Sequence, residues 1–224
     1  MYIREQVESR QIPGAVLLIT KSNQEVYHQA FGHFQNKYGE NQQIDRDTLF
    51  DIASLTKVVA TTPAILFLHA TKMLNVQEQV QTYIPEFRFP DVVIEHLLTH
   101  ASGLPADLNR VDRHRNRDVI KEVLSTNLIY EPGKQVLYSD LGMILLGRII
   151  ERVTNQPLHI FIQQTILEPW ELFQTKYLLT EEEKRKAAAT ERDKSSFLQG
   201  VVHDEKDVSA RSSKRECRLV FHCF

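Results

Sequence analysis

A serine and a lysine three residues apart, Ser54 and Lys57, are the side chains whose types and spacing could do chemistry. Residues three apart lie on one face of a helix, so a helix that begins near Ser54 brings the hydroxyl and the ammonium together. The hydroxyl then lies at a helix N-terminus, where backbone N–H groups and the helix dipole favour developing negative charge. The spacing predicts a serine nucleophile assisted by a lysine, but it also fits a capping serine followed by a surface lysine.

Three segments of the chain, one of which contains this pair, can be compared with the motifs of known families. Residues 47–57 read Asp-Thr-Leu-Phe-Asp-Ile-Ala-Ser-Leu-Thr-Lys, residues 96–105 read His-Leu-Leu-Thr-His-Ala-Ser-Gly-Leu-Pro, and residues 138–147 begin Tyr-Ser-Asp. In this order they resemble three segments of class C β-lactamases and penicillin-binding proteins: the nucleophile segment, the segment that follows it, and the second catalytic motif, Tyr-x-Asn or a close variant. A Ser-x-x-Lys nucleophile motif is characteristic of penicillin-binding proteins. The resemblance extends from about residue 5 to about residue 204.

The resemblance implies a role for each of four residues. Ser54 would attack the substrate carbonyl and become acylated, Lys57 would help to deprotonate it, and Tyr138 would shuttle the proton. Asp140 stands where the family often has an asparagine that contacts the substrate amide and orients the lysine. Because an ionised aspartate accepts hydrogen bonds but cannot donate them as an amide does, this departure argues against assuming β-lactam specificity.

The function implied by the resemblance is hydrolysis of an ester or amide through an acyl-enzyme on Ser54, without a metal or an organic cofactor. The candidate substrates are a β-lactam, a D-alanyl-D-alanine peptide of the peptidoglycan type and a small ester, and the sequence does not choose among them. The alternative is a non-catalytic truncated fragment, or a module that binds peptidoglycan or another ligand with little or no turnover.

The C-terminal end departs from the family pattern. His203-Asp204 still fits, but residues 209–224 contain no glycine and neither of the third-motif triplets that the resemblance leads us to expect, Lys-Thr-Gly or His-x-Gly. We expect an incomplete serine-hydrolase domain over residues 1–204 and an aberrant tail over residues 205–224, produced by a shift of reading frame near residues 205–210. An oxyanion-hole donor would be lost with the missing strands, at a cost of about 10²–10³ in rate, so weak or no turnover is expected.

The elements that must position these residues follow from the apolar pattern. Two apolar, β-branched runs within Ala15–Gly32, separated by turn residues, predict a hairpin. A helix is expected from Ser54 to about Lys72 with a kink or break at Pro63, and Ser139–Val153 should form a buried helix because apolar residues occupy nearly every face. With the resemblance, these elements predict an α/β (α+β) fold of the β-lactamase/transpeptidase type. Its helical subdomain would cover roughly residues 60–170, beside an antiparallel sheet that lacks its C-terminal strands.

Composition and charge exclude several classes of function. The 27 basic and 29 acidic side chains leave a net charge of −2, which gives no electrostatic case for nucleic acid or an anionic membrane as a partner. No stretch reaches the roughly 20 apolar residues that cross a bilayer. The first residues lack the apolar core of a secretory signal, so we expect a cytoplasmic protein as written, although many relatives are exported. The sequence leaves the oligomeric state open.

Two histidines could be mistaken for a metal site. His96 and His100 are four apart on a predicted helix, as metal ligands can be, but no glutamate occupies the second position and no third ligand is evident. Helix capping and packing are therefore predicted for both. The two cysteines, Cys217 and Cys223, fall in the last eight residues and give no disulfide framework.

Overall fold

The computed structural model describes residues 2–108, 118–193 and 196–202. Residues 106–118 are polar and charged, which predicts an exposed loop. Most of this segment, and the whole tail expected over residues 205–224, lie outside the described residues. The chain divides into two compact units. Over the described residues, we call Ala53–Lys176 the helical unit, and residues 2–52 together with the described part of 177–202 the sheet unit.

The sheet unit is built on two antiparallel sheets, with the strand orders β1-β2-β3 and β4-β5. Its elements are α1 (Tyr2–Glu8), β1 (Gly14–Lys21), β2 (Gln24–Gln35), β3 (Asn41–Gln43), α8 (Glu181–Lys186), β4 (Ala189–Asp193) and β5 (Ser196–Gln199). The predicted hairpin is confirmed, because β1 pairs with β2 with Val16 opposite Ala30. Ser22 and Asn23 form its turn with φ of 50° and 61°, and positive φ at both central residues matches the right-handed twist of the strands.

A small apolar core and one glutamine connect the two sheets of this unit. The Gln199 side chain donates to the Ala187 carbonyl oxygen over 3.0 Å and accepts from the Lys37 N–H over 3.1 Å. A buried amide with both ends paired fixes the position of β5 without leaving an unsatisfied polar atom. The buried residues of the core are Phe34, Ile44 and Ala188.

The helical unit contains six short or medium helices and two wider helical turns within its described residues. The helices are α2 (Thr62–Ala70), α3 (Val80–Tyr83), α4 (Ile94–Leu98), α5 (Val119–Ser125), α6 (Asp140–Thr154) and α7 (Leu158–Ile162), and the wider turns are Lys57–Thr61 and Gln163–Leu167. The sequence also predicts short helices over residues 75–84 and 92–100, and both are present in shorter form as α3 and α4. Over the described residues, no helix has both the length and the apolar character needed to cross a membrane.

Helix α6 is the centre of the helical unit. Nine of its fifteen residues are buried, which confirms the buried helix predicted from its apolar pattern. It begins at the capping residue Ser139, and it ends at Asn155, which has the left-handed φ of 52° that often closes a helix. Gly147 allows close packing, since a Cβ there would lie 3.0 Å from a methyl group of Leu158. Burial of each leucine or isoleucine side chain stabilises the fold by roughly 1.5–3 kcal/mol. The packing of α6 therefore stabilises the helical unit as a whole.

The helix that follows Ser54 departs from α-helical geometry before Pro63. The Thr62 N–H donates to the Lys57 carbonyl oxygen, five residues back, and Pro63 lies in the first turn of α2. Proline lacks an N–H and crowds the carbonyl four residues earlier, so an uninterrupted α-helix here would cost about 3 kcal/mol or more. The predicted kink or break is therefore present as a widened turn, and this turn begins at Lys57.

An arginine on α6 holds the loop after α3. Arg152 donates to both carboxylate oxygens of Glu86, over 2.9 and 3.0 Å, and to the carbonyl oxygen of Tyr83 over 3.1 Å. These hydrogen bonds from Arg152 are the main cause that lowers the pKa of Glu86 from its usual 4.5 to about 2. Because the Glu86 side chain is 57% exposed, solvent screening limits the contribution of the pair to about 1 kcal/mol at most.

We predict that Glu86→Gln lowers the free energy of unfolding at pH 7 but has little effect in acid. A carboxyl whose pKa is lower in the folded state stabilises the fold above its unfolded pKa, and this stabilisation is lost as the pH falls from about 4.5 towards about 2. Urea unfolding of both proteins at pH 7, 4 and 3 measures the difference, which should shrink with each step. Glu95→Gln, which removes a carboxylate bonded to the uncharged amide of Gln77, is the matched control. A difference in unfolding free energy between Glu86→Gln and the wild type that stays constant with pH would contradict a lowered pKa of Glu86 in the folded state.

Candidate active site

Ser54 and Lys57 form the predicted pair at the start of the first helix of the helical unit. Lys57 Nζ donates a hydrogen bond to Ser54 Oγ over 2.9 Å. The Lys57 N–H also donates to the Ser54 carbonyl oxygen over 3.1 Å, and this turn puts the two side chains on one face. Ser54 is exposed, whereas only 4% of the Lys57 surface is exposed. The hydroxyl is therefore open to solvent while the ammonium is held out of water.

The other two predicted residues meet Lys57 from the start of α6. Asp140 Oδ1 lies 3.0 Å from Lys57 Nζ, in an ion pair in which both side chains are largely buried. The centre of the Tyr138 ring lies 5.0 Å from the same ammonium, within the range at which a cation is attracted to a ring face. The structure thus brings together all four residues that the sequence singled out, and Lys57 is the residue that contacts the other three.

The N-terminus of α6 is held in place by the loop that follows α4. Ser139 Oγ donates to the Pro105 carbonyl oxygen over 2.7 Å and accepts from the Gly142 N–H over 3.4 Å. The Asp140 N–H donates to the Ala106 carbonyl oxygen over 2.9 Å. These bonds satisfy backbone donors that a helix start leaves without intrahelical partners. They also fix the direction in which the side chains of Tyr138 and Asp140 extend from the backbone.

Ala53, immediately before Ser54, is a feature that sequence reasoning missed. Its φ of 47° lies in the left-handed region, which costs a residue with a Cβ roughly 1–2 kcal/mol. Nothing in an alanine indicates this conformation in advance, since glycine and asparagine are the residues that usually adopt it. The strained residue turns the chain sharply at the point where Ser54 begins the helix.

His100 is the second residue that the sequence did not place in the site. Its ring packs against the Tyr138 ring, with centres 4.7 Å apart and planes at 37°, and its Nδ1 accepts the Ser139 N–H over 3.1 Å. Burial, with a smaller effect from the positive charge of Lys57, lowers the pKa of His100 below its usual 6.5. Its position beside Tyr138 could not be found from the spacing of His96 and His100, because the contact joins the loop after α4 to the residues just before α6.

His96 has the capping role that the sequence predicted. Its Nδ1 accepts the Val93 N–H over 3.3 Å at the start of α4. Since Nδ1 of His100 also accepts a backbone N–H, each of the two rings has one nitrogen committed to the backbone. The two histidines thus serve capping and packing, as predicted.

Comparison with known proteins identifies the family. A family model described as Beta-lactamase matches residues 2–209. The chain belongs to the beta-lactamase family. This confirms the resemblance from which the sequence analysis drew its site residues.

Two curated proteins illustrate the relatives of this beta-lactamase family chain. The chain is 31% identical to N-acetylmuramyl-L-alanine amidase of Bacillus subtilis (strain 168), over 87% of its own length and 52% of the relative. It is 34% identical to a protein of Escherichia coli (strain K12) assigned by name as a D-alanyl-D-alanine carboxypeptidase, over 87% of its length and 53% of the relative. The chain therefore spans about half the length of the curated relatives that it matches.

A solved structure confirms the fold class. The crystal structure of Beta-Lactamase/D-Alanine Carboxypeptidase from Pseudomonas syringae superposes with a TM-score of 0.74 at 22% identity, over 92% of this chain and 58% of the other. The predicted α/β fold of the β-lactamase/transpeptidase type is thus confirmed, with helices and small antiparallel sheets in the described residues.

We predict that Ala53→Gly makes this beta-lactamase family chain more stable, by about 0.5–1 kcal/mol. Glycine adopts a positive φ without strain, and the relief exceeds the extra entropy that glycine gives to the unfolded chain. Urea unfolding at pH 7 measures the effect. Ala101→Gly, at a position that does not have a positive φ, should lower the stability instead. Equal losses in the two variants would show that Ala53 stores no strain.

Proposed function

We propose that this chain is a serine hydrolase that cleaves an ester or amide through an acyl-enzyme on Ser54. The observation that carries the proposal is the position of Lys57 Nζ, which is 2.9 Å from Ser54 Oγ and 3.0 Å from Asp140 Oδ1. The first distance is within reach for proton transfer between a nucleophile and its base. Membership of the beta-lactamase family supports the same chemistry.

The proposed reaction has two halves. Lys57 can accept a proton only as a neutral amine, so it first releases one proton to solvent. Ser54 Oγ then bonds to the substrate carbonyl carbon while its proton passes to Lys57, and collapse of the tetrahedral intermediate breaks the bond to the leaving amine or alcohol. Tyr138, whose ring lies against the Lys57 ammonium, delivers that proton to the leaving group. The oxygen of a water molecule then bonds to the acyl carbon, the ester bond to Ser54 Oγ breaks, and one proton of that water passes to Ser54 Oγ as the acid is released.

Relatives suggest the class of substrate. The names of the relatives describe an N-acetylmuramyl-L-alanine amidase and D-alanyl-D-alanine carboxypeptidases, which act on amides of the peptidoglycan type. We propose an amide or ester of this class for the present chain, with β-lactams as reactive analogues. Asp140 modifies this choice, because its carboxylate balances the charge of Lys57 and so removes a positive field that would attract an anionic substrate.

We predict that Ser54→Ala abolishes covalent labelling of the chain. Incubation with a penicillin, and separately with an activated phosphonate, should add one probe mass to the wild-type chain and none to the variant, since the bond forms on Ser54 Oγ. Intact-mass spectrometry measures both. Ser125→Ala, which removes another exposed serine of the helical unit, is the control and should label like the wild type. Absence of an adduct on the folded wild-type chain, or an adduct that persists in Ser54→Ala, would refute the proposed function.

We predict that Asp140→Asn shifts the preference of the site towards anionic substrates. The amide keeps an oxygen that can accept from Lys57, but the negative charge 3.0 Å from the ammonium is lost, so the site gains a net positive charge. The ratio of the acylation rate with an anionic penicillin to that with a neutral activated ester should rise about tenfold, on the order of 1.4 kcal/mol.

The control for this charge change is Asp118→Asn. Asp118 caps α5 by accepting the Lys121 N–H, and asparagine caps equally well, so the rate ratio should stay at the wild-type value. A ratio that is unchanged or lower in Asp140→Asn would show that Asp140 does not influence the substrate through its charge.

A further inference from the structure

His100 contacts three consecutive residues around Tyr138. Its carbonyl oxygen accepts the Leu137 N–H over 2.9 Å, its ring packs on the Tyr138 ring at 4.7 Å, and its Nδ1 accepts the Ser139 N–H over 3.1 Å. If His100 only shaped the loop, the hydrogen bond from the Leu137 N–H to its carbonyl oxygen would be sufficient. The two contacts made by the imidazole are directed at the segment that carries Tyr138.

Tyr138 needs such support because half of it is in solvent. Its exposed fraction is 50%, and an exposed side chain ordinarily samples several rotamers. Among the described residues, the His100 ring and the Lys57 ammonium both lie against its ring. Aromatic pairs at this separation are worth about 0.5–1.5 kcal/mol beyond the area they bury, which is enough to favour one rotamer over its competitors.

His100 is itself held rigidly. Its φ of 58° lies in the left-handed region, and the Tyr130 hydroxyl donates to its carbonyl oxygen over 3.4 Å. Because Nδ1 accepts a backbone N–H, the ring is neutral and carries its proton on Nε2. Within the described residues, the charged or titratable groups that face His100 are Lys57, Asp140, Tyr138 and Tyr130.

We propose that His100 is a positioning residue, whose neutral ring holds Tyr138 beside Lys57 for the proton transfers of the acyl-enzyme reaction. This inference rests on the proposed function of Ser54. His100 acts through Tyr138 and through the Ser139 N–H rather than on the substrate. Protonation of the ring would remove the acceptor for Ser139 and bring a second cation towards Lys57, and either change would displace Tyr138.

The test compares the rate of covalent labelling of Ser54 by an activated phosphonate in the wild type and in His100→Asn. Asparagine tolerates a positive φ, and its amide oxygen can accept the Ser139 N–H, so the variant removes the stacked ring with little damage to the loop. The labelling rate should fall about 10- to 100-fold, the loss expected from misplacing a catalytic group by about an ångström. His96→Asn, which alters the histidine that caps the start of α4, should stay within about twofold of the wild type.

Two further measurements separate positioning from general damage. In a Tyr138→Phe background, which keeps the ring but removes the hydroxyl, His100→Asn should slow labelling no further. Since burial and Lys57 lower the pKa of His100, the wild-type rate should fall with a step below pH 6.5, and this step should be absent in His100→Asn.

Each outcome decides between the two proposals. A wild-type chain that does not label would overturn the proposed function, and this inference with it. If the wild type labels and His100→Asn labels at the same rate, only the role of His100 is overturned. An equal further loss in the Tyr138→Phe background, or a pH step that persists in His100→Asn, would likewise show that His100 does not act through Tyr138.

Discussion

The burial of the Lys57 ammonium is the constraint on which the site depends. Transfer of a charged amine out of water costs several kcal/mol unless an opposite charge and hydrogen-bond acceptors receive it. Here Asp140 supplies the charge and the Ser54 hydroxyl supplies an acceptor. The start of α6 must therefore lie against the first turn of the helix that carries Lys57, and the packing of the helical unit has to maintain that contact.

The packing achieves this with a rigid helix and two strained residues. Nine buried residues fix α6 in the core, and its first turn is bonded to the loop at Pro105 and Ala106. Ala53 and His100, both with positive φ, turn the chain where it enters the site. Left-handed residues with side chains persist only where the surrounding structure holds them, and they concentrate at functional sites. The widened turn at Lys57 is a further irregularity of this kind, of the sort often found near functional residues.

Much of the fold could be predicted from the sequence, because strong local patterns decide it. The hairpin of β1 and β2 follows from two β-branched runs and a turn at Ser22-Asn23, and α6 follows from its apolar pattern. The lengths of α3 and α4 were predicted less well, since helices of four and five residues are held by tertiary contacts rather than by propensity. The widened turn before Pro63 could be anticipated only as a kink or break.

The sequence by itself predicted that Ser54 and Lys57 lie on one face of a helix, because residues three apart on a helix are neighbours. It left open whether the lysine reaches the hydroxyl or lies on the surface, and the structure decided for the contact. Tyr138 and Asp140 could be named as site residues only through resemblance to a family, since no local rule relates them to a serine more than eighty positions earlier. The tertiary structure decided that all four residues meet around one buried ammonium. It also decided that His100 supports Tyr138 and that Ala53 is strained. These last features depend on contacts between separate helices and loops, and such contacts leave no periodic signal in the chain.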